Sequence, residues 1–124
     1  MTTIVHFDVP AEDLKRAKIF YEKLFEWKIE PVPGPMEYCN IVTKDENGKE
    51  GIGGGMGKRG QPEQKITNYI GVSSIDEYVK KVQDLGGRII MPKTTIPGFG
   101  YLATFLDSEG NTLGLWETDS SAQM

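Results

Sequence analysis

The chain holds one cysteine and one histidine, has no surplus of basic residues, and contains no long apolar run. A lone Cys39 excludes an intramolecular disulfide and a thiolate metal cluster. It lies inside an apolar stretch, where a buried and unreactive thiol is expected. Fourteen basic residues against eighteen acidic ones leave a net charge of −4, which argues against nucleic acid, whose binding needs a basic face. The most basic local stretch, Lys58-Arg59, sits in a Gly/Gln-rich segment and is expected to solvate that loop. No stretch approaches the ~20 apolar residues of a membrane span. The N-terminus leads straight into a strand without a basic and apolar signal segment, so the expected location is cytoplasmic.

What the chain does have is a repeat. His6-Phe7-Asp8-Val9 leads into a helical stretch from Ala11 to Trp27, and about sixty residues later Asn68-Tyr69-Ile70-Gly71-Val72 leads into another, Ile75 to Leu85. Each helix is followed by short β-like runs ending in a turn, Tyr38 to Asp45 into Asn47-Gly48 and Tyr101 to Asp107 into Glu109-Gly110-Asn111. With 124 residues, 38% apolar and 26% charged, this is one domain of ordinary soluble composition, large enough to bury about two-thirds of its unfolded surface. The expected organisation is a first unit over 1–56, a linker over 57–65, a second unit over 66–118 and a frayed polar tail over 119–124.

The local signals are as follows. Thr3 to Val9 reads as a strand that Pro10 ends, because proline cannot donate to the ladder. Leu14, Ala17, Phe20 or Tyr21, Leu24 and Phe25 recur at the spacing of an amphipathic helix. Strands are expected at Trp27 to Pro31 and Tyr38 to Thr43, separated by the Pro33-Gly34-Pro35 turn, and Asn47-Gly48 is a hairpin signal. A short strand over Gly51 to Met56 contains Gly53-Gly54-Gly55. Such a triplet marks a bulge or the close approach of another backbone or a ligand. It is not a phosphate loop, since no Gly-Lys-Ser/Thr closes it and no helix follows. In the second half Ser74 with Glu77 forms a capping box and Gly86-Gly87 stops the helix. Strands follow at Arg88 to Met91, Tyr101 to Leu106 and Thr112 to Thr118, with Ile96-Pro97-Gly98 in a turn.

These residues resemble the vicinal oxygen chelate superfamily, which has the glyoxalase I, bleomycin-resistance and extradiol-dioxygenase fold. The resemblance is carried by Phe20-Tyr21, by Leu24-Phe25-Glu26-Trp27 and by Gly86-Gly87. It is carried above all by Asp107-Ser108-Glu109-Gly110-Asn111 before Leu113-Gly114-Leu115-Trp116-Glu117. That turn is similar to the family's Asp-Pro-x-Gly-Asn, with Ser108 in place of proline. The resemblance covers essentially the whole chain and implies an α+β fold of two tandem βαβββ units whose mixed sheets form an open cavity. It also implies a small-molecule ligand and a homodimer, but no particular activity, because the fold hosts many chemistries.

In metal-dependent members each unit supplies two ligands from its first and last strands, typically His, Glu or Gln. Carried over, the first position falls on His6, or on Ile4 if counted from the strand end, and both share a face by strand alternation. The second unit's first position falls on Thr67 and its last on Gly114. The remaining ligand falls among Glu50 to Gly55, where Glu50 is the only donor. Such a set is too short for a catalytic metal, so no cofactor is expected, with a divalent metal on His6 and Glu50 as the alternative.

Alternation places Val5, Phe7 and Val9 toward the first helix and Ile4, His6 and Asp8 toward the cavity. In the second unit Ile70, Val72, Leu113 and Leu115 face the helix, leaving Thr67, Tyr69, Gly71, Thr112, Gly114 and Trp116. Glu117 falls on the helix-facing parity or at the strand edge. The candidate ligand-binding residues are therefore His6, Asp8, Thr67, Tyr69, Gly114 and Trp116. His6 is the only candidate acid-base group, a role that suits a residue type titrating near neutrality; its alternative is a structural hydrogen bond to Asp8 or a carbonyl. Tyr69 and Trp116 have a packing alternative. Three functional readings stand: a metal-free binder of a small organic molecule, a glyoxalase-type lyase or isomerase using His6, and an interaction module using an exposed sheet edge.

Overall fold

The computed structural model describes residues 1–34 and 37–123. Pro35, in the expected Pro33-Gly34-Pro35 turn, lies outside them. Among the described residues the chain forms β1 (Ile4–Ala11), α1 (Leu14–Phe25), β2 (Lys28–Pro31), β3 (Tyr38–Val42), β4 (Gly53–Lys58), β5 (Thr67–Gly71), α2 (Ile75–Asp84), β6 (Arg88–Ile96), β7 (Gly100–Leu106) and β8 (Thr112–Thr118). The fold is α+β, with parallel and antiparallel ladders mixed. Two compact units divide it, His6–Ile66 and Met1–Val5 with Thr67–Met124.

In the His6–Ile66 unit the strand order is β2-β3-β4-β1. The β1–β4 ladder is parallel, with His6 opposite Gly53, Asp8 opposite Gly55 and Pro10 opposite Gly57. Pro10 does not end β1. It lacks a donor but keeps its carbonyl, and the ladder runs on to Ala11, whose carbonyl accepts the Arg59 N–H at 2.9 Å. The helix therefore starts at Leu14 rather than Ala11, where the Asp13 carboxylate accepts the Arg16 N–H at 3.0 Å and caps the first turn. It stops at Glu26, which adopts a left-handed φ of 61° and donates its N–H to the Glu22 carbonyl.

One face of this sheet is apolar. Val9, Ala11, Ile29, Cys39, Ile41 and Met56 are buried together, with Phe7, Leu14, Ala17, Tyr21 and Trp27 packed against them. Phe7 and Val9 thus take the expected side. Val5 does not: it is exposed and lies against Gly71, within the other unit. Tyr21 rather than Phe20 enters the core, stacking on Trp27 at 5.3 Å between ring centres. Phe20, Leu24 and Phe25 stay half exposed. β4 begins two residues later than expected because Thr43 ties down Gly51 and Ile52, its carbonyl taking the Gly51 N–H and its hydroxyl reaching the Ile52 carbonyl. It ends at Lys58, so Lys58 is a strand residue and Arg59 is held at the Gln64 carbonyl. Lys58-Arg59 is not the solvated loop that composition suggested.

In the other unit the order is β5-β8-β7-β6, around Ile75, Ala103 and Leu115 with Val72, Tyr78, Val79, Tyr101 and Phe105. The Ser74 hydroxyl caps α2 by accepting the Glu77 N–H. The capping box is only half present, since the Glu77 carboxylate lies at 3.4 Å from the Lys81 ammonium instead. Glu117 reaches the same helix end and accepts the Ile75 N–H at 2.9 Å. β6 extends past Pro92 because register shifts on both sides of Met91 remove the demand for its missing donor. The tail is not frayed through 122: Asp119 donates its N–H to Phe99, the Ala122 carbonyl accepts from Gly98, and Ala122 is buried.

The Asp107–Asn111 turn is closed by one carboxylate. Asp107 accepts the Glu109 and Asn111 N–H groups at 2.8 Å each and the Asn111 side-chain amide at 3.1 Å. The Asn111 and Glu109 backbone bonds favour the ionised form and hold this carboxyl below its ordinary 3.8. A depressed folded-state pKa contributes stability that is complete above the unfolded value and lost as pH falls through the folded one. Asp107→Ala should therefore lower the melting temperature at neutral pH and narrow its gap to the parent as pH falls below the ordinary carboxylate value of 3.8. Melting curves across pH 2 to 7 check this; a gap that stays constant with pH would contradict it.

Candidate functional site

Opposite its apolar face, the β3-β4-β1 sheet of the His6–Ile66 unit carries His6, Asp8 and Pro10 on β1, Gly53, Gly55 and Gly57 on β4, and Tyr38 and Asn40 on β3. The glycines explain what the other side chains can do. A methyl group at Gly55 would overlap the Tyr38 hydroxyl, and one at Gly57 would sit 3.3 Å from the Tyr38 ring. The ring therefore lies across β4 on two residues without side chains and crosses from β3 to β1. Gly54 points the other way, where a methyl would meet the Phe7 ring at 2.8 Å. The close approach signalled by the triplet is made by the Tyr38 ring on one face and by Phe7 on the other, where its backbone carbonyl oxygen would lie 2.5 Å from a Gly54 methyl.

At the end of its reach Tyr38 donates its hydroxyl to Asp8 Oδ1 at 2.8 Å. His6 Nε2 lies 2.9 Å from the same oxygen, and the Tyr38 oxygen is 3.5 Å from Nε2. An ionised carboxylate only accepts, so His6 Nε2 carries the proton and donates it to Asp8. One carboxylate oxygen thus collects two donors. The side chains of His6 and Asp8 are about one-third exposed, at 35% and 32%, so the cluster meets solvent. Beside it runs an open groove of about 570 Å³ lined by Asp8, Pro10, Glu37, Tyr38, Lys58 and Gln64 among others, within the size range of small-molecule sites.

Of the residues expected from sequence, the structure brings His6 and Asp8 together in this cluster. Glu50 is not with them: it precedes β4, is exposed, and faces Lys44 across an isolated bridge. Among the described residues no three His, Cys, Asp or Glu side chains converge as a metal site would require. Thr67, Tyr69, Gly114 and Trp116 belong to the other unit. There Tyr69 is buried and lies on Gly114, where a methyl would overlap its ring, and the two are register partners. The Trp116 indole donates to Thr118 Oγ1 at 2.9 Å. Glu117, expected on the helix-facing side, spends its carboxylate on the α2 N-terminus.

Tyr38, Glu37, Lys58 and Gln64 were not found by sequence reasoning. Tyr38 reads as the first residue of an ordinary strand. The glycine triplet signalled that something approaches β4, but only the β3–β4 register identifies the ring that does.

The bed beneath Tyr38 leads to a mutational test. Gly55→Ala should cost roughly 1–3 kcal/mol through overpacking. In a Tyr38→Ala background most of that cost should vanish, because the ring is gone. Denaturant unfolding of the four proteins reads the coupling. Equal losses in both backgrounds would show that Tyr38 does not lie on Gly55.

Comparison with known proteins agrees with this architecture. The model of the Glyoxalase/Bleomycin resistance protein/Dioxygenase superfamily matches residues 3–115. A provisionally named glyoxylase of Mycobacterium tuberculosis, CFP32, is 33% identical over 117 residues, which is 90% of this chain and 44% of that protein. The anthracycline biosynthesis protein DnrV of Streptomyces peucetius is 28% identical over 124 residues, 89% of this chain and 45% of that one. The chain thus spans less than half the length of these curated relatives. In structure it resembles the methylmalonyl-CoA epimerase of Streptomyces coelicolor, with a TM-score of 0.69, 12% identity, and coverage of 100% of this chain and 99% of that one. A family match running from the first strand into the last places the chain in the glyoxalase/bleomycin-resistance/dioxygenase superfamily.

Proposed function

We propose that this chain binds a small organic molecule in the groove beside the His6–Asp8–Tyr38 cluster and does so without a catalytic metal. The observation that carries the reading is the double use of Asp8 Oδ1. It accepts hydrogen bonds from His6 Nε2 and Tyr38, so that imidazole nitrogen is already engaged as a donor. Thr67 and Gly114 stand where the family resemblance puts further ligands, and neither side chain can replace His or Glu there. The residues present do not fit a resident metal. What they offer is a phenol and a carboxylate at the wall of an open groove, with the His6 imidazole bonded behind the carboxylate, able to orient a ligand and to exchange a proton with it.

The names of its relatives, a glyoxylase and an epimerase, favour a second reading. In it, His6 turns away from Asp8 to serve a metal-dependent lyase or isomerase. Its working form in the cytoplasm would be a homodimer, for which the half-exposed Phe20, Leu24 and Phe25 of α1 provide apolar surface. A sedimentation mass equal to one chain would remove the dimer.

A fragment screen by amide chemical shifts separates the two readings. Hits should move Asp8, Tyr38 and Gly57, and Tyr38→Phe should weaken them about threefold to tenfold. Hits that leave these signals still, or an absence of hits, would count against the groove. Stoichiometric stabilisation by zinc, nickel, cobalt, manganese or ferrous iron, abolished in His6→Ala, would establish the metal-dependent reading instead.

A further inference from the structure

We infer that the ligand of this groove is an amino carboxylate, a molecule carrying both an ammonium group and a carboxylate; this rests on the groove being the binding site. Four features of the lining point to that class. Asp8 spends one oxygen on Tyr38 and His6, and among the described residues no donor reaches its other oxygen. A carboxylate has about four acceptor positions, so the groove side of Asp8 still calls for N–H donors. Glu37 adds a second exposed carboxylate to the same lining. The Tyr38 ring, held flat by Gly55 and Gly57, offers a fixed aromatic face, which attracts a cation electrostatically. Together these recognise an organic ammonium.

Lys58 supplies the opposite sign. It closes β4, lines the groove, and makes no ion pair or hydrogen bond among the described residues. Neighbouring Arg59 is different, being held at the Gln64 carbonyl and 3.9 Å from Glu12. The lining therefore contains one cation available to a ligand anion and two carboxylates available to a ligand cation. A purely cationic ligand would leave Lys58 as a repulsive neighbour. A purely anionic one would meet Asp8 and Glu37. A molecule with both groups satisfies all three, and Pro10 and the Tyr38 ring add apolar lining for the rest of it.

Three probes of one skeleton test this: phenylalanine, phenethylamine and 3-phenylpropanoate, titrated into the full chain with amide chemical shifts as the readout. Phenylalanine should bind tightest and 3-phenylpropanoate weakest, each charge match changing the affinity roughly fivefold to tenfold. Lys58→Ala should weaken phenylalanine to the level of phenethylamine while leaving phenethylamine no weaker, or slightly tighter. Asp8→Asn should weaken both amines and spare 3-phenylpropanoate. Glu37→Gln repeats the amine test at an exposed position, in case Asp8→Asn loosens the cluster.

Equal binding of all three probes, or 3-phenylpropanoate binding as well as phenethylamine, would overturn the assignment while leaving the groove a general apolar site. No binding by any of them would overturn the assignment too. The fragment screen then decides the groove itself, since hits there of another class keep the site and an empty screen removes it.

Discussion

The candidate site depends on one steric constraint, the absence of side chains at Gly55 and Gly57 beneath the Tyr38 ring. A tyrosine on β3 can reach a carboxylate on β1 only by crossing the strand between them, and only a strand bare on that face lets it cross. Once across, its hydroxyl and the His6 imidazole share one Asp8 oxygen. That arrangement occupies one carboxylate oxygen with two donors, leaves the other without a donor among the described residues, and fixes an aromatic wall. The same device recurs in the other unit, where Tyr69 lies on Gly114, so glycines that look like backbone concessions are seats for rings.

Strand alternation supplies the rest of the economy. Along β1, Phe7, Val9 and Ala11 go to the core with Met56, Ile41 and Cys39, while His6, Asp8 and Pro10 take the opposite side. One short strand therefore serves stability on one face and chemistry on the other. The helices are held to their sheets by different means. Beyond its Ser74 cap, α2 is anchored by the Glu117 carboxylate at its first N–H. By contrast, α1 relies on Leu14, Ala17 and Tyr21 and leaves an apolar flank uncovered.

Much of this was legible in the sequence. The repeat, both helices and every strand can be placed from periodicity and turn residues, and the face of His6 and Asp8 follows from alternation alone. The His6–Asp8 hydrogen bond was one of two open readings of His6. What escaped is of one kind. Pro10 looked like a stop and the strand from Arg88 was expected to end at Met91, yet Pro10 and Pro92 both lie within strands, since a missing donor matters only where the ladder demands one. Tyr38 was invisible as a site residue because its role is set by register against β4, which no local pattern encodes. Glu50, by contrast, looked like a donor because of its type and position in the chain. The Thr43 contacts to Gly51 and Ile52 keep it out of the strand that would have carried it.

Because His6 is the only histidine, its ring nitrogens can be observed without ambiguity in a uniformly nitrogen-15-labelled sample. A long-range nitrogen–proton correlation at neutral pH, recorded before and after an equivalent of zinc, tests the metal-free cluster directly. The geometry predicts a protonated Nε2 with the upfield shift of a pyrrole-type nitrogen, unmoved by zinc. A bare Nε2 that shifts or broadens at one equivalent of zinc would contradict it, and would return the histidine to the role of a metal ligand.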